Sequence, residues 1–145
     1  MNASFTARYA CVLGISAVLA GVSLRDRVGG KTVQLFCVRV LHLFLIAVST
    51  THAIVFPDAP RALDIAVLAL LIATILHWPL MRNECILSFA EKKLMDPGYV
   101  MGTDPWREVY LEDLVGRRHR MTAYRVFVAL CIVNFAVIAY RLFRR

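Results

Sequence analysis

Residues 33–56 read VQLFCVRVLHLFLIAVSTTHAIVF, and this stretch decides the fold class. It is apolar over the roughly 20 residues that a helix needs to cross the hydrocarbon of a bilayer. Pro57 and Pro60 end it, because proline supplies no backbone donor to a continuing helix. Three comparable segments lie at about 9–24, 62–81 and 122–140. Charged or proline-rich breaks separate all four. The pattern predicts an all-α integral membrane protein: one bundle domain over 1–145, with four transmembrane helices and an extramembrane loop at 82–121.

The composition agrees with a chain shaped by lipid. Hydrophobic residues make up 59% of the 145, against roughly half in a soluble domain. The net charge is +7. In a soluble protein that excess would raise nucleic acid as a partner. Here the basic residues flank the apolar segments, which is where anionic head groups attract them. The expected partner is therefore the bilayer, and nucleic acid is excluded. The four cysteines, Cys11, Cys37, Cys85 and Cys131, are far apart in sequence. That spacing implies neither a disulfide framework nor a zinc knuckle. The first segment, with Arg8 before an apolar run and small residues near Ala20, has some look of a signal peptide. It is read as a retained spanning helix.

The N-terminal segment is rich in small residues. Gly14, Ala17 and Gly21 fall near one face, which suits close helix packing in lipid. Gly29 and Gly30 make the turn into segment two. Segment three carries Asp64 near its start and runs to His77-Trp78-Pro79, where a kink is expected. After it, Glu84, Ser88 and Glu91 share a face of an amphipathic stretch. Asp96-Pro97-Gly98 is a turn. Asp104-Pro105 predicts a short interfacial amphipathic helix, with Asp as cap and Pro at the first position. Trp106, Tyr110 and Leu114 line one face of that helix. Trp78, Tyr99, Trp106 and Tyr110 are expected as interfacial anchors. Asn134 is the polar residue expected inside segment four.

Lysine and arginine counts predict the orientation. The loops at 25–32 and 82–121 carry ten: Arg25, Arg27, Lys31, Arg82, Lys92, Lys93, Arg107, Arg117, Arg118 and Arg120. The other side carries five: Arg8, Arg61, Arg141, Arg144 and Arg145. The excess places both main loops on the positive, cytoplasm-like side and both termini opposite. The basic C-terminal end is the feature that argues against it.

Segment two carries polar residues that lipid does not tolerate. Arg39, His42 and Ser49 lie on one stripe, which must face other helices because a lipid-facing charge is costly. The short loop at 57–60 makes segments two and three antiparallel neighbours. Arg39, His42, His77, Glu84, Cys85 and Glu91 then fall in one region. The first reading is structural, with Arg39 paired to Glu84 or Glu91. The second is a haem or transition-metal site, with His42, His77 and Cys85 as candidate ligands. Against it, no two histidines have the i, i+4 spacing of a one-helix metal face, and His42 and His52 stand about 15 Å apart along the axis. The third is catalytic, with His77, Glu84 and Cys85 as base, acid and nucleophile. Ser88 lacks the Gly-x-Ser-x-Gly elbow.

The stretch from Cys85 to Leu94, followed by Gly98-Tyr99-Val100-Met101-Gly102, resembles a bacterial family of small uncharacterised membrane proteins. That family carries a Cys-Pro-Leu-Thr-x-x-Glu-x-x-Leu signature, then Gly-Tyr-x-x-Gly and a Tyr-Leu pair. Tyr110-Leu111, Val133-Asn134, Tyr140 and His42 fit the same pattern. Ile86 replaces the signature proline, and Val109 stands where a histidine is expected. The resemblance covers roughly 33–145 and implies a shared fold without an activity.

The function expected from sequence is therefore a small non-enzymatic membrane protein. It would be an accessory or assembly subunit of a larger complex, or a homo-oligomer, with no cofactor by default. The alternative is a membrane redox protein binding haem or a metal through His42 and His77.

Overall fold

A computed structural model describes residues 3–25 and 29–144. Asp26, Arg27 and Arg145, which enter the charge count above, lie outside the described residues. Six helices follow one another: α1 (Ala3–Ser23), α2 (Thr32–Val55), α3 (Arg61–Leu80), α4 (Ile86–Met95), α5 (Val109–Val115) and α6 (Arg120–Arg144). Four of them, α1, α2, α3 and α6, are long and apolar enough to cross a membrane. The protein is an all-helical membrane bundle with two short helices between the third and fourth spans.

The helix α2 is the hub. It packs against α1, α3, α4 and α6, while α5 bridges α1, α4 and α6. Its buried residues include Leu35, Leu43, Val48 and Ala53, and also Arg39, His42, Ser49, Thr50 and His52. The helix thus buries a polar stripe with its apolar one. Val48 and Ala53 meet Val67 and Leu71 of α3 and Ile138 of α6. A second cluster joins Ala20 of α1, Leu43 of α2 and Tyr110 of α5. Outward faces remain apolar, as at Val18, Ile54, Ile75 and Ile132. That is the arrangement a lipid solvent selects, because lipid gives no gain for burying such side chains.

Two spans run further than their apolar cores. The helix α1 begins six residues before Tyr9 because its first turns are anchored on the loop after α2. Tyr9 stacks on Phe56 with ring centroids 4.1 Å apart, and Phe5 lies 5.1 Å from the same ring. The helix α6 continues past Tyr140 because the Arg141 guanidinium donates to the carbonyls of Phe56 (2.9 Å) and Pro57 (2.8 Å). The short loop between α2 and α3 is thereby held from both sides.

Between α3 and α4 the chain turns sharply. Arg82 and Asn83 both take left-handed backbone angles, with φ of 52° and 62°. Gly102 (φ +83°) packs beneath this turn. A Cβ there would stand 2.7 Å from the Arg82 Cβ, so only glycine fits. The helix expected from Asp104 begins instead at Val109. The carbonyl of Asp104 accepts from Lys92 Nζ (2.6 Å), and Glu108 is extended at the N-cap. These ties hold residues 104–108 outside the helix.

One amide fixes α6 to the C-terminal third of α2. Asn134 accepts from the Ala53 amide (2.6 Å) and donates to the Ser49 carbonyl (2.7 Å). The Ala53 amide already belongs to the helix ladder, so the asparagine reads the backbone edge of α2. Interhelical bonds of this kind contribute on the order of 1 kcal/mol in membranes. Replacing Asn134 with Leu is expected to lower the detergent-solubilised unfolding free energy by about that amount. Thermal or denaturant unfolding followed by circular dichroism measures it, and an unchanged midpoint would deny the bond any weight.

Candidate functional site

The polar residues foreseen as one cluster fall into separate constellations. Arg39 is fully buried. Its Nε donates to Glu91 Oε1 (2.8 Å), its Nη2 to Asp113 Oδ2 (2.7 Å), and its Nη1 to the Ser23 carbonyl (2.7 Å) and hydroxyl (2.8 Å). One guanidinium thus gathers the end of α1, α2, α4 and α5. Glu84 belongs to a different pair. Its Oε1 accepts from Lys92 Nζ (2.6 Å) and the Tyr99 hydroxyl (2.8 Å), and its Oε2 accepts from the Gly102 amide (2.8 Å). Its carboxylate is fully buried and supplied with donors on both oxygens, which is the condition for burying a charge without heavy penalty.

His42, His77 and Cys85 come together around a cavity of about 390 Å³. Its wall is mainly apolar: Leu43, Leu45, Ile46, Leu70, Ala73, Leu87, Leu111, Leu114 and Phe127 contribute. The helices α2, α3, α5 and α6 form the sides, and Cys85 to Leu87 form one end. Its polar groups are His42, Ser49, Thr74, His77, Glu108 and Tyr110. Trp78 and Tyr124 add aromatic faces, and their rings stack at 6.3 Å.

The hydrogen bonding around this cavity is incomplete. His42 Nε2 lies 3.6 Å from Cys85 Sγ, while its Nδ1 is buried without a hydrogen-bond partner. His77 Nδ1 lies 2.9 Å from the Thr74 carbonyl, so that nitrogen carries the proton and donates. His77 Nε2 is also buried without a partner. In the neutral ring it is an acceptor. Buried polar atoms are paired in the great majority of cases, so two orphans on one cavity mark it as special.

The loop before α5 delivers the remaining acid. Glu108 Oε2 accepts from the Ser88 hydroxyl. Burial pushes its carboxyl up to about 7, and Glu91 and Glu84 push the same way, against the opposing pull of Ser88 and Lys92. Burial also raises the Cys85 thiol, which disfavours the reactive thiolate. Tyr110 lies edge-on to His42, with ring centroids 4.7 Å apart, and burial raises its phenol well above the usual value.

Of the four aromatic residues expected at head-group level, Trp106 alone is exposed, at 52%. Tyr110 is buried against His42 because α5 starts at Val109 and turns that residue inward. Trp78 is half-buried on the cavity wall, and half-buried Tyr99 is engaged with Glu84.

At the opposite end of the bundle lies a network outside the foreseen cluster. The Tyr9 hydroxyl is 2.9 Å from His52 Nδ1, His52 Nε2 is 2.9 Å from Asp64 Oδ1, and Arg141 Nη2 donates to the same oxygen (3.0 Å). The sequence carried a signal for it. His52 and Asp64 stand four residues before Phe56 and four after Pro60, so a tight antiparallel hairpin places them level. Glu108 had no comparable signal, since its approach to Ser88 depends on the loop path at 96–108.

Among the described residues, no group of three His, Cys, Asp or Glu side chains is placed to hold a metal ion. The chain matches no family model, no curated protein and no solved structure.

The Arg39 arrangement has a direct test. Arg39→Glu is expected to reduce accumulation in membranes several-fold, because it buries a third carboxylate beside Glu91 and Asp113. Adding Glu91→Arg should recover part of the loss, as read by immunoblot of the membrane fraction. Normal accumulation of the single variant would remove Arg39 from the centre of the fold.

Proposed function

We propose that this protein is a non-enzymatic multi-pass membrane protein that binds a small amphiphilic molecule taken from the lipid phase. The observation that carries the reading is the cavity beside α2, apolar along its wall and lined by two imidazoles with unpartnered nitrogens. Ligand sites are concave, mostly apolar and equipped with a few polar groups that fix orientation. The cavity has that composition. The raised Cys85 thiol and the absence of an activated nucleophile beside it favour binding over turnover.

A second reading concerns assembly. Gly14 and Gly21 are exposed on α1, and nothing lies within 4 Å of where their Cβ atoms would stand. Small residues in a span are used where backbones approach closely. In this reading, α1 packs against another membrane subunit or a second copy, and the protein serves as an accessory subunit. The loops rich in Lys and Arg face a cytoplasm-like side and its anionic head groups. The likeness to the small bacterial membrane family is then one of fold.

Cavity binding is tested by filling the space. Ser49→Phe is expected to weaken uptake of a neutral aromatic alcohol, such as 4-phenylbutan-1-ol, by at least about tenfold while the protein stays folded, since a phenyl ring occupies much of such a pocket. Trp78 is on the wall, so its fluorescence in a Trp106→Phe background reports occupancy. Equal responses with and without the block would place the ligand elsewhere. For assembly, mild extraction should yield a particle larger than the monomer, and Gly14→Leu with Gly21→Leu should reduce it to monomer. A Soret band or stoichiometric metal on the same peak would instead support the haem or metal reading at His42, His77 and Cys85.

A further inference from the structure

Among the described residues, Glu108 is the only acidic residue on the cavity wall, and no lysine or arginine lines it. The cations nearby are engaged elsewhere. Arg39 holds Glu91 and Asp113, Lys92 holds Glu84, and Arg107 and Arg120 both hold Glu112. Among the described residues, Glu108 has the Ser88 hydroxyl as hydrogen-bond donor and no ion-pair partner. A carboxylate in such surroundings lacks the counter-charge that burial demands. Three further features point the same way. His77 Nε2 is an acceptor without a donor. Trp78, Tyr124 and Tyr110 present ring faces and edges, and aromatic faces attract cations. The apolar remainder of the wall suits a hydrocarbon body.

We propose, resting on the cavity reading above, that the ligand is a lipophilic organic cation with an N–H donor, a protonated amine whose head lies between Glu108 and His77. The ammonium supplies the positive charge that Glu108 lacks and the proton donor that His77 Nε2 lacks. Its hydrocarbon part occupies the apolar space toward α6. A neutral alcohol can supply the donor for His77 but not the charge for Glu108, and an anion adds to the negative charge already there.

Binding then carries a pH signature. Glu108 is faced by Cys85, Glu84, Glu91 and Lys92 from α4 and its approach, by Tyr110 of α5 and by Tyr124 of α6; His42 of α2 and His77 of α3 line the same cavity. Its carboxyl titrates at about 7. Below that value it is protonated and neutral, and above it is charged. Amine affinity should therefore rise by about tenfold from pH 6 to pH 8, following the ionised fraction.

The experiment uses the full chain in a non-ionic detergent and two probes of matched shape, 4-phenylbutylamine and 4-phenylbutan-1-ol, titrated by calorimetry. The amine stays cationic throughout this pH range. The expected result is at least about tenfold preference for the amine at pH 8, shrinking at pH 6, with alcohol binding unchanged by pH. Glu108→Gln should remove the preference and the pH dependence together, yet still bind the alcohol. Equal binding of the two probes at both pH values overturns the cationic ligand and leaves the cavity reading intact. Failure of both probes to bind overturns both. Should Glu108→Gln not accumulate, the wild-type comparison of probes and pH still decides.

Discussion

The polar stripe along α2 constrains everything around it. A membrane offers no water to a guanidinium, an imidazole or an amide at that depth, so leaving one without a partner in the protein is costly. Arg39 finds Glu91, Asp113 and Ser23, His52 finds Asp64 and Tyr9, and the backbone at Ala53 finds Asn134. Together these partners come from all five of the other helices. The arrangement of the bundle is thus dictated less by apolar contact, which lipid could equally provide, than by where α2 presents hydrogen-bonding groups.

Seen this way, the loop region at 82–116 is a lid on one end of the bundle. Glu84 and Glu91 are buried there, while Lys93, Arg107 and the acids Asp96 and Asp104 stay exposed. Glu84, Glu91 and Asp113 are consumed by Lys92 and Arg39. Glu108 stands apart because its helix starts late and its backbone is extended, which tips the carboxyl toward Ser88 and the cavity. Lys92 is the cation that acts on Glu108, and it is hydrogen-bonded to Glu84, so burial dominates and pushes the Glu108 carboxyl up to about 7.

The spans were legible because their length and apolarity are local properties of the sequence. So was the isolation of Arg39, since an arginine seven residues into an apolar segment demands a partner. Choosing Glu91 over Glu84 was not legible. The sequence pattern puts both on one face with Ser88, but α4 begins only at Ile86, and the turn at Arg82–Asn83 together with Gly102 directs the non-helical Glu84 toward Lys92. The inward turn of Tyr110 was equally hidden. Asp104-Pro105 has good capping chemistry, but the Asp104 carbonyl is occupied by Lys92 and the helix forms later. Tertiary competition for backbone groups, not propensity, set that boundary.

The partners contributed by α6 also impose an order on biogenesis. Asn134 lies 81 residues after Ala53, and Arg141 lies 77 residues after Asp64. A ribosome has therefore released α2 and α3 well before either partner exists. During that interval the hairpin rests on the His52–Asp64 contact, on α1 through Tyr9 and Arg8, and on its apolar surfaces. Insertion of α6 then acts as a latch, closing on the backbone of α2 and on the α2–α3 loop in one step. Quality-control proteases that survey unpaired polar groups in membranes would see an early substrate and a late, finished protein that differ by the arrival of this one helix.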